Sequence, residues 1–339
     1  MPIHLPYEIG CSLPPVEHSS VTKKAAAGSA PRVSAPARPC FLLVWTVAVF
    51  SALAFRAGLH AAPDQAPAQP TPPSGQSIIQ FKNVPVQAGP IEVKARLHCI
   101  ENPGALEPAK DTFQLVVPKT YRPDQRWGVL VWISPSDSAR IPPEWEAVLE
   151  RRRLLFVGAL KAGNSRNILE RIQLAVLASV GMRERFQVDE RRVYVAGFSG
   201  GGRVASMLGV AYADMFTGAA SFMGVNFYTD LPSADGKKLY PPQFIPDDEV
   251  LEIAKRRSRF VLISSEKDFN KADTRIVWEQ GFKKEGFPAA AYLEVPGIGH
   301  SMPSSEWLDK ALHLLDAPRT VAEADRPGSF LSRTVSTER

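Results

Sequence analysis

The stretch VYVAGFSGGGR, residues 193–203, carries the pattern from which the fold can be predicted. Its first part, Val193 to Gly197, is an apolar run with the β-branched and aromatic residues of a strand that is covered on both faces. From Gly200 onward the residues are compatible with a helix. The pattern Gly-x-Ser-x-Gly between a strand and a helix predicts a sharp turn that exposes Ser199 at the amino end of the helix. The stretch therefore predicts a nucleophilic serine.

Two other interpretations of this turn remain open. A glycine-rich turn can contain a serine by chance, and a glycine-rich loop can bind phosphate. The phosphate loop is disfavoured because the sequence lacks both the Gly-Lys-Ser/Thr ending and the G-x-G-x-x-G spacing with a later acidic residue. The nucleophile is favoured because so tight a turn needs residues without side chains two positions before and after Ser199, and Gly197 and Gly201 stand there.

Short apolar runs and helical patterns alternate around this turn. Ile91 to Ile100 and Phe113 to Val117 predict an opening antiparallel section. The later predicted strands are Gly128 to Ile133, Leu154 to Ala159, Val193 to Gly197, Gly218 to Met223, Phe260 to Ser264 and Ala290 to Val295, and the predicted helices are Pro143 to Arg152, Ile168 to Arg185, Gly200 to Ala211, Asp247 to Arg257, Thr274 to Glu285 and Ser304 to Leu315. This alternation predicts an α/β fold in which a mostly parallel central sheet has helices on both faces and its active site beyond the carboxyl ends of the strands.

A serine hydroxyl is a weak nucleophile without a base that accepts its proton, and the positions of the histidines narrow the choice. Three of the six lie within the first 60 residues: His4, His18 and His60. His98 falls inside a predicted strand and His313 inside a predicted helix, where packing or surface exposure accounts for them. His300 lies in a glycine-containing loop directly after a predicted strand. We therefore predict that His300 is the base.

The imidazole of a catalytic histidine needs a carboxylate that holds its tautomer and stabilises the imidazolium. The segment Ser265-Glu266-Lys267-Asp268 follows the predicted strand Phe260 to Ser264 and offers two candidates. Asp268 has the better position at the strand end, and Glu266 is the alternative. The chain order Ser199, Asp268, His300 is the order of nucleophile, acid and base in α/β-hydrolases.

The front of the chain predicts export. An unbroken apolar run from Phe41 to Phe55 follows Arg32 and Arg38 and precedes a stretch rich in small residues, an order typical of a secretory signal peptide. The run is short for a membrane span, so export is favoured and an uncleaved signal anchor is the alternative. We expect membrane association only if the signal segment stays uncleaved. We divide the chain into a leader with this signal (1–62, with translation starting near Val33), a Pro-rich linker (63–80), a catalytic domain (81–317) and a disordered tail (318–339), and expect a periplasmic or secreted protein.

Charge and cysteine usage exclude several classes of partner. The net charge of +5 is slight, and no basic stripe is interleaved with aromatic residues, so we expect no nucleic-acid binding. The three cysteines form neither a CxxC pair nor a Cys/His cluster. The sequence therefore predicts no metal site.

The residues from about Phe113 to Leu315 resemble the α/β-hydrolase superfamily, and in particular exported serine esterases of the polyhydroxybutyrate depolymerase-like and feruloyl esterase-like groups. The similar segments are the lead-in Phe113 to Tyr121, the turn Gly197 to Gly202, the acid loop Ser265 to Asp268 and the histidine loop Pro296 to His300. The resemblance implies an α/β-hydrolase fold, a Ser199-His300-Asp268 triad that forms an acyl-enzyme with carboxylic esters, and no metal or organic cofactor. A serine peptidase with the same triad and a non-catalytic hydrolase-like binding protein are the alternatives.

The chain departs from this family after the predicted strand Gly128 to Ile133. Many members carry His-Gly there, followed by a residue whose NH is the second donor to the oxyanion, whereas this chain has Ser134-Pro135-Ser136. Proline has no NH. We therefore predict that Gly200, at the helix amino end, and Ser136 donate to the oxyanion. The acid loop also departs, because Ser265 stands where glycine is common.

Residues near strand ends are candidates for contacts to a small or polymer-linked ester substrate. Asn164 and Asn226 follow predicted strands and predict polar substrate contacts. Trp132 and Tyr228 predict aromatic contacts, with packing in the core as the competing explanation for each.

Overall fold

The computed structural model describes residues 74–233 and 235–317. The predicted leader, its apolar run at 41–55 and the predicted tail at 318–339 lie outside the described residues. Within the described ranges, no helix is both long and apolar enough to cross a membrane.

Ten strands lie in the described part of the chain. They are β1 (Gly75–Ile79), β2 (Phe113–Val117), β3 (Trp127–Ile133), β4 (Leu154–Ala159), β5 (Val188–Phe198), β6 (Gly218–Phe222), β7 (Leu231–Pro232), β8 (Leu239–Tyr240), β9 (Arg259–Ser265) and β10 (Ala290–Val295). Eight of them form one sheet in the order β1-β2-β4-β3-β5-β6-β9-β10, and β7 pairs with β8 as a separate hairpin. In the sheet, β2 is antiparallel to β1 and β4, and all later pairs are parallel.

The helices cover both faces of the sheet. They are α1 (Pro90–Leu97), α2 (Pro143–Arg152), α3 (Ile168–Arg185), α4 (Gly200–Ala211), α5 (Asp248–Arg257), α6 (Lys271–Ile276, continued by a π-helical segment Val277–Phe282) and α7 (Ser305–Leu315). One core cluster contains residues of α3 and α4, and the other contains residues of α2 and α7. Alternate side chains of β3 enter the two clusters, Val129 and Val131 in the first and Leu130 and Trp132 in the second. The predicted α/β fold, in which a mostly parallel central sheet has helices on both faces, is confirmed.

This alternation corrects the prediction that Trp132 binds substrate. Its side chain is 2% exposed and packs edge-on against Trp145 of α2, with the ring centroids 5.1 Å apart. Because β3 is covered on both faces, a position near its carboxyl end does not by itself open onto the active site. Trp132 is a core residue.

Two elements at the start of the domain also differ from the prediction. Ile91 to Ile100 was expected to be a strand, but Pro90–Leu97 is a helix. The apolar residues there recur at both strand and helix spacing, and Pro90 at the first helical position favours the helix. Val93 and Leu97, four residues apart, are buried, whereas Ile91 is 87% exposed. In addition, β1 lies inside the stretch predicted as linker, because its five residues pair with β2.

The sheet order brings three loops together. Strands β4, β3 and β5 are adjacent and parallel, so the loops that follow them meet at one edge of the sheet. These loops contain Asn164 after β4, Ser136 after β3 and Ser199 after β5. The loops after β9 and β10, with Asp268 and His300, lie at the same edge because those strands run in the same direction.

Candidate active site

Ser199 lies in the predicted turn, in a backbone conformation that side chains rarely adopt. Its φ is 54° and its ψ is −120°. A Cβ on Gly197 would collide with the carbonyl of Gly201, and a Cβ on Gly201 with the carbonyl of Ile133. The Ser199 NH donates to the carbonyl of Phe222 on β6 at 2.7 Å. A residue in so sparsely populated a conformation costs about 1–3 kcal/mol, which the surrounding contacts must offset.

Ser199, His300 and Asp268 form a continuous chain of hydrogen bonds. His300 Nδ1 lies 2.8 Å from Asp268 Oδ1, and His300 Nε2 lies 2.9 Å from Ser199 Oγ. A carboxylate only accepts, so Nδ1 carries the proton and Nε2 is left to accept the hydroxyl proton of Ser199. The three residues predicted from the sequence therefore stand at the distances that proton transfer from serine to histidine requires.

The alternative acid, Glu266, has another position. Its Oε2 accepts the NH of Gly297 in the histidine loop at 2.7 Å, and the side chain does not contact His300. Ser265, where glycine is common in the family, donates its hydroxyl to the carbonyl of Gly299 at 2.8 Å. Both side chains hold the histidine loop against the acid loop. The carboxylate that contacts the histidine is Asp268.

A cluster of polar groups contacts Asp268 in addition to His300. The carboxylate is fully buried and accepts hydrogen bonds from Ser264 Oγ and from the NH of Asn270, each at 3.1 Å. Asn270 Oδ1 in turn lies 3.5 Å from the guanidinium of Arg203, one helical turn after Ser199. Burial lowers the pKa of Arg203, while nearby acidic groups, Asp268 among them, act in the opposite direction. Asn270 and Arg203 are not predicted as site residues from the sequence, although Asn270 lies two residues after Asp268 and Arg203 lies four residues after Ser199.

Two residues predicted to bind substrate belong to the packing around this cluster. Asn226 is buried; its Oδ1 accepts from Arg203 at 3.3 Å and its NH donates to Ser206 Oγ at 2.9 Å. Tyr228 is 8% exposed and donates its hydroxyl to Glu285 at 3.1 Å, and burial raises its pKa. Neither side chain reaches the triad, because the loop after β6 turns both into the protein. Both predictions are corrected to structural roles.

Two aromatic rings flank the imidazole of His300. The ring of Phe198 lies 5.1 Å from it and the ring of Phe269 lies 4.4 Å from it, centroid to centroid, each tilted by 34°. Phe198 and Phe269 are the chain neighbours of the nucleophile and the acid. Phe269 is 75% exposed, which is unusual for so large an apolar side chain beside a catalytic group. The sequence reasoning did not identify either ring.

The loops that were predicted to supply the oxyanion donors are tightly bonded. The NH of Ser136 donates to Ser134 Oγ at 3.1 Å. The buried Arg171 of α3 donates to the carbonyl of Ser134 at 2.9 Å and lies 3.5 Å from the carbonyl of Gly200. Arg171 therefore links the loop after β3 to the start of α4. Gly200 itself lies at the amino end of α4, where the backbone NH groups and the helix dipole favour negative charge.

Asn164 lies against Gly200. A Cβ on Gly200 would collide with the Asn164 carboxamide, whose Cγ and Nδ2 would be 2.7 and 2.9 Å away. Asn164 Oδ1 is buried and has no hydrogen-bond partner in the described part of the chain. An unsatisfied buried polar atom costs about 1–3 kcal/mol. Asn164, which the sequence predicts to contact substrate, therefore lies against the residue that follows the nucleophile.

Within residues 74–233 and 235–317, no group of three or more His, Cys, Asp or Glu side chains is arranged to hold a metal ion. The single cysteine there, Cys99, is buried.

Comparison with known proteins gives structural similarity alone. No family model matches the sequence, and no curated protein matches it. The solved structures that match include an S-formylglutathione hydrolase (FrmB) from Staphylococcus aureus, with 11% identity, 70% of this chain and 96% of that chain covered, and a TM-score of 0.44. The feruloyl esterase module from Clostridium thermocellum has 12% identity, coverages of 72% and 89%, and a TM-score of 0.46.

A dipeptidyl peptidase 4 from Porphyromonas gingivalis has 17% identity and a TM-score of 0.45, with 62% of this chain covered. This chain spans about a third of that protein's length, since 34% of it is covered. At TM-scores below 0.5, the activities of these proteins give no information on the activity of this chain.

The backbone of Ser199 generates a stability prediction. Glycine adopts a φ of 54° without strain, so Ser199→Gly should have a free energy of unfolding about 1 kcal/mol higher than Ser199→Ala. Both variants lack the hydroxyl, so their difference isolates the backbone. Urea denaturation of the two proteins measures it, and an equal or lower stability of the glycine variant would contradict a strained turn.

Proposed function

We propose that this protein is an exported serine hydrolase that cleaves carboxylic esters through an acyl-enzyme. The observation that carries the proposal is the hydrogen-bonded series Asp268, His300, Ser199, with hydrogen-bond distances of 2.8 and 2.9 Å and the serine in a strained turn. Export rests on the apolar run at 41–55.

Each residue of the series has a defined role in the proposed reaction. Ser199 Oγ attacks the ester carbonyl as its proton passes to His300 Nε2, and Asp268 stabilises the imidazolium. The tetrahedral intermediate places its negative oxygen at the Gly200 NH. His300 then gives the proton to the leaving alcohol, and the acyl group remains on Ser199. Water takes the place of the alcohol and the same transfers release the carboxylic acid.

The surroundings of His300 favour an apolar leaving alcohol. The leaving oxygen must come within hydrogen-bond distance of His300 Nε2 to receive its proton. The ring of Phe269 lies 4.4 Å from that imidazole, centroid to centroid, and is largely exposed. A substituent on the leaving oxygen therefore has an apolar surface within reach, and burying that surface is favourable. A peptide bond is the alternative substrate of the same triad.

The proposed function predicts active-site labelling. The folded wild-type protein should react with a fluorophosphonate probe, and Ser199→Ala should not. A panel of nitrophenyl esters from acetyl to long acyl chains, run beside a feruloyl ester and a peptide, should give turnover on esters that Ser199→Ala abolishes. Turnover of the peptide alone would replace the esterase by a peptidase. Failure of the folded wild type to label would favour a non-catalytic binding protein.

Phe269 predicts a preference on the leaving-group side. Contact with about 50 Å² of its exposed ring is worth about 1.3 kcal/mol, so Phe269→Ala should lower kcat/KM for aryl acetates about tenfold. The rate at which a preformed acetyl-enzyme hydrolyses should not change, because the leaving group has already departed. Ile91→Ala, which removes an exposed apolar side chain from α1, is the control. An equal loss for ethyl and aryl acetates would contradict the contact.

Export predicts a processed amino terminus. Deletion of residues 41–55 should retain the protein in the cytoplasm, whereas the unmodified precursor should lose its leader on export. Amino-terminal sequencing of the exported protein identifies the cleavage position. An exported protein that still begins before residue 41 would favour the uncleaved anchor.

A further inference from the structure

The proposed reaction needs a second hydrogen-bond donor for the oxyanion besides the NH of Gly200. The loop after β3 is poorly suited to supply one. Pro135 has no NH, and the NH of Ser136 already donates to Ser134 Oγ at 3.1 Å. The hydroxyls of Ser134 and Ser136 lie 3.1 Å from each other, and that of Ser136 also donates to the carbonyl of Ser138. The hydroxyls of Ser134 and Ser136 and the NH of Ser136 are thus used within this loop.

The loop after β4 occupies the adjoining position. The NH of Asn164 donates to the carbonyl of Pro135 at 2.9 Å, and the NH of Gly163 donates to Asp137 Oδ1 at 3.0 Å. The NH of Lys161 donates to the carbonyl of Asp137 at 2.8 Å. These bonds fix the backbone of Asn164 relative to the loop after β3. The side chain of Asn164 therefore extends from a backbone that is fixed by hydrogen bonds between the loops after β3 and β4.

The carboxamide of Asn164 lies against the residue that donates the first hydrogen bond. Its Cγ and Nδ2 would be within 3 Å of a Cβ on Gly200, so glycine is required there for the side chain to fit. Oδ1 is buried against Gly200 without a partner. Nδ2 also has no partner among the described residues, and it is not buried. With Oδ1 directed inward, the two Nδ2 hydrogens are available on the accessible side of Gly200.

We propose that the Asn164 carboxamide is the second donor of the oxyanion hole. It takes the place of a backbone NH from the loop after β3. In the tetrahedral intermediate the negative oxygen accepts from the Gly200 NH and from Asn164 Nδ2. The inference rests on the proposed acyl transfer and assigns a catalytic role to a residue that the sequence indicated only as a substrate contact. It also accounts for the glycine at position 200, because any larger residue would displace the donor.

Two variants of Asn164 test the role. Asn164→Leu keeps the approximate volume without a donor, and Asn164→Asp keeps the shape but turns an acceptor toward the oxyanion. Each should lower kcat on the best nitrophenyl ester about 100-fold with KM changed less than about threefold, as removal of one oxyanion donor does. Inhibition by a trifluoromethyl ketone with the same acyl group, which forms a tetrahedral oxyanion on Ser199, should weaken by a similar factor. Asn102→Leu, at an exposed position, is the matched control and should change none of these values.

A residue that only packs against Gly200 or contacts the ground-state substrate gives a different result. A kcat within about threefold of wild type, a loss confined to KM, or unchanged affinity for the trifluoromethyl ketone in the aspartate variant would overturn the role of Asn164. Thermal unfolding of both variants checks that they fold. If Asn164→Leu does not fold, Asn164→Asp alone tests the role. Absence of fluorophosphonate labelling of wild type would overturn the proposed function and this inference together. Labelled, active wild type with active Asn164 variants would overturn the inference alone.

Discussion

The close approach of the β5–α4 turn to the carbonyl of Ile133 on the neighbouring strand is the constraint on which the site depends. Gly201 contacts that carbonyl, and Gly197 contacts the carbonyl of Gly201. Strands β3 and β5 are paired in parallel up to Ile133 and Gly197, so the turn has no space in which to relax. Ser199 is held at a φ of 54° because its neighbours leave no other arrangement. The position of the hydroxyl is therefore determined by the sheet.

The sequence alone predicts the parts of the site whose signals lie within short segments of the chain. The turn 197–201 can be recognised because a strand, three glycines and a helix each have their own signal. Asp268 and His300 follow from their positions after predicted strands and from the small number of candidates. Asp268 and Glu266 remained alternatives because both follow the same strand. The hydrogen bonds of the folded protein distinguish them. Asp268 contacts His300 Nδ1, whereas Glu266 accepts the NH of Gly297 in the histidine loop.

The three substrate-contact predictions that the structure corrects have a common physical origin. A residue at the end of a strand can point toward either face or into the loop cluster, and the sequence does not tell which. Trp132 lies on the face covered by α2, and Asn226 and Tyr228 turn into the protein, although all three follow or end strands. The helix Pro90–Leu97 was mistaken for a strand because its apolar residues recur at both spacings. Arg203 and Phe269 gain their importance from neighbours that are distant in the sequence.

The two phenylalanines beside His300 have a consequence for how the base moves. The ring centroids of Phe198 and Phe269 lie 5.1 and 4.4 Å from that of the imidazole, whose Nδ1 and Nε2 are hydrogen-bonded to Asp268 and Ser199. Rotation of the imidazole would break its hydrogen bond to the buried Asp268 carboxylate and change its contacts with both phenylalanines. The hydrogen bond to Asp268 and the two aromatic contacts therefore oppose the ring flip that would exchange the two nitrogens, so Nε2 stays directed toward Ser199 from one turnover to the next.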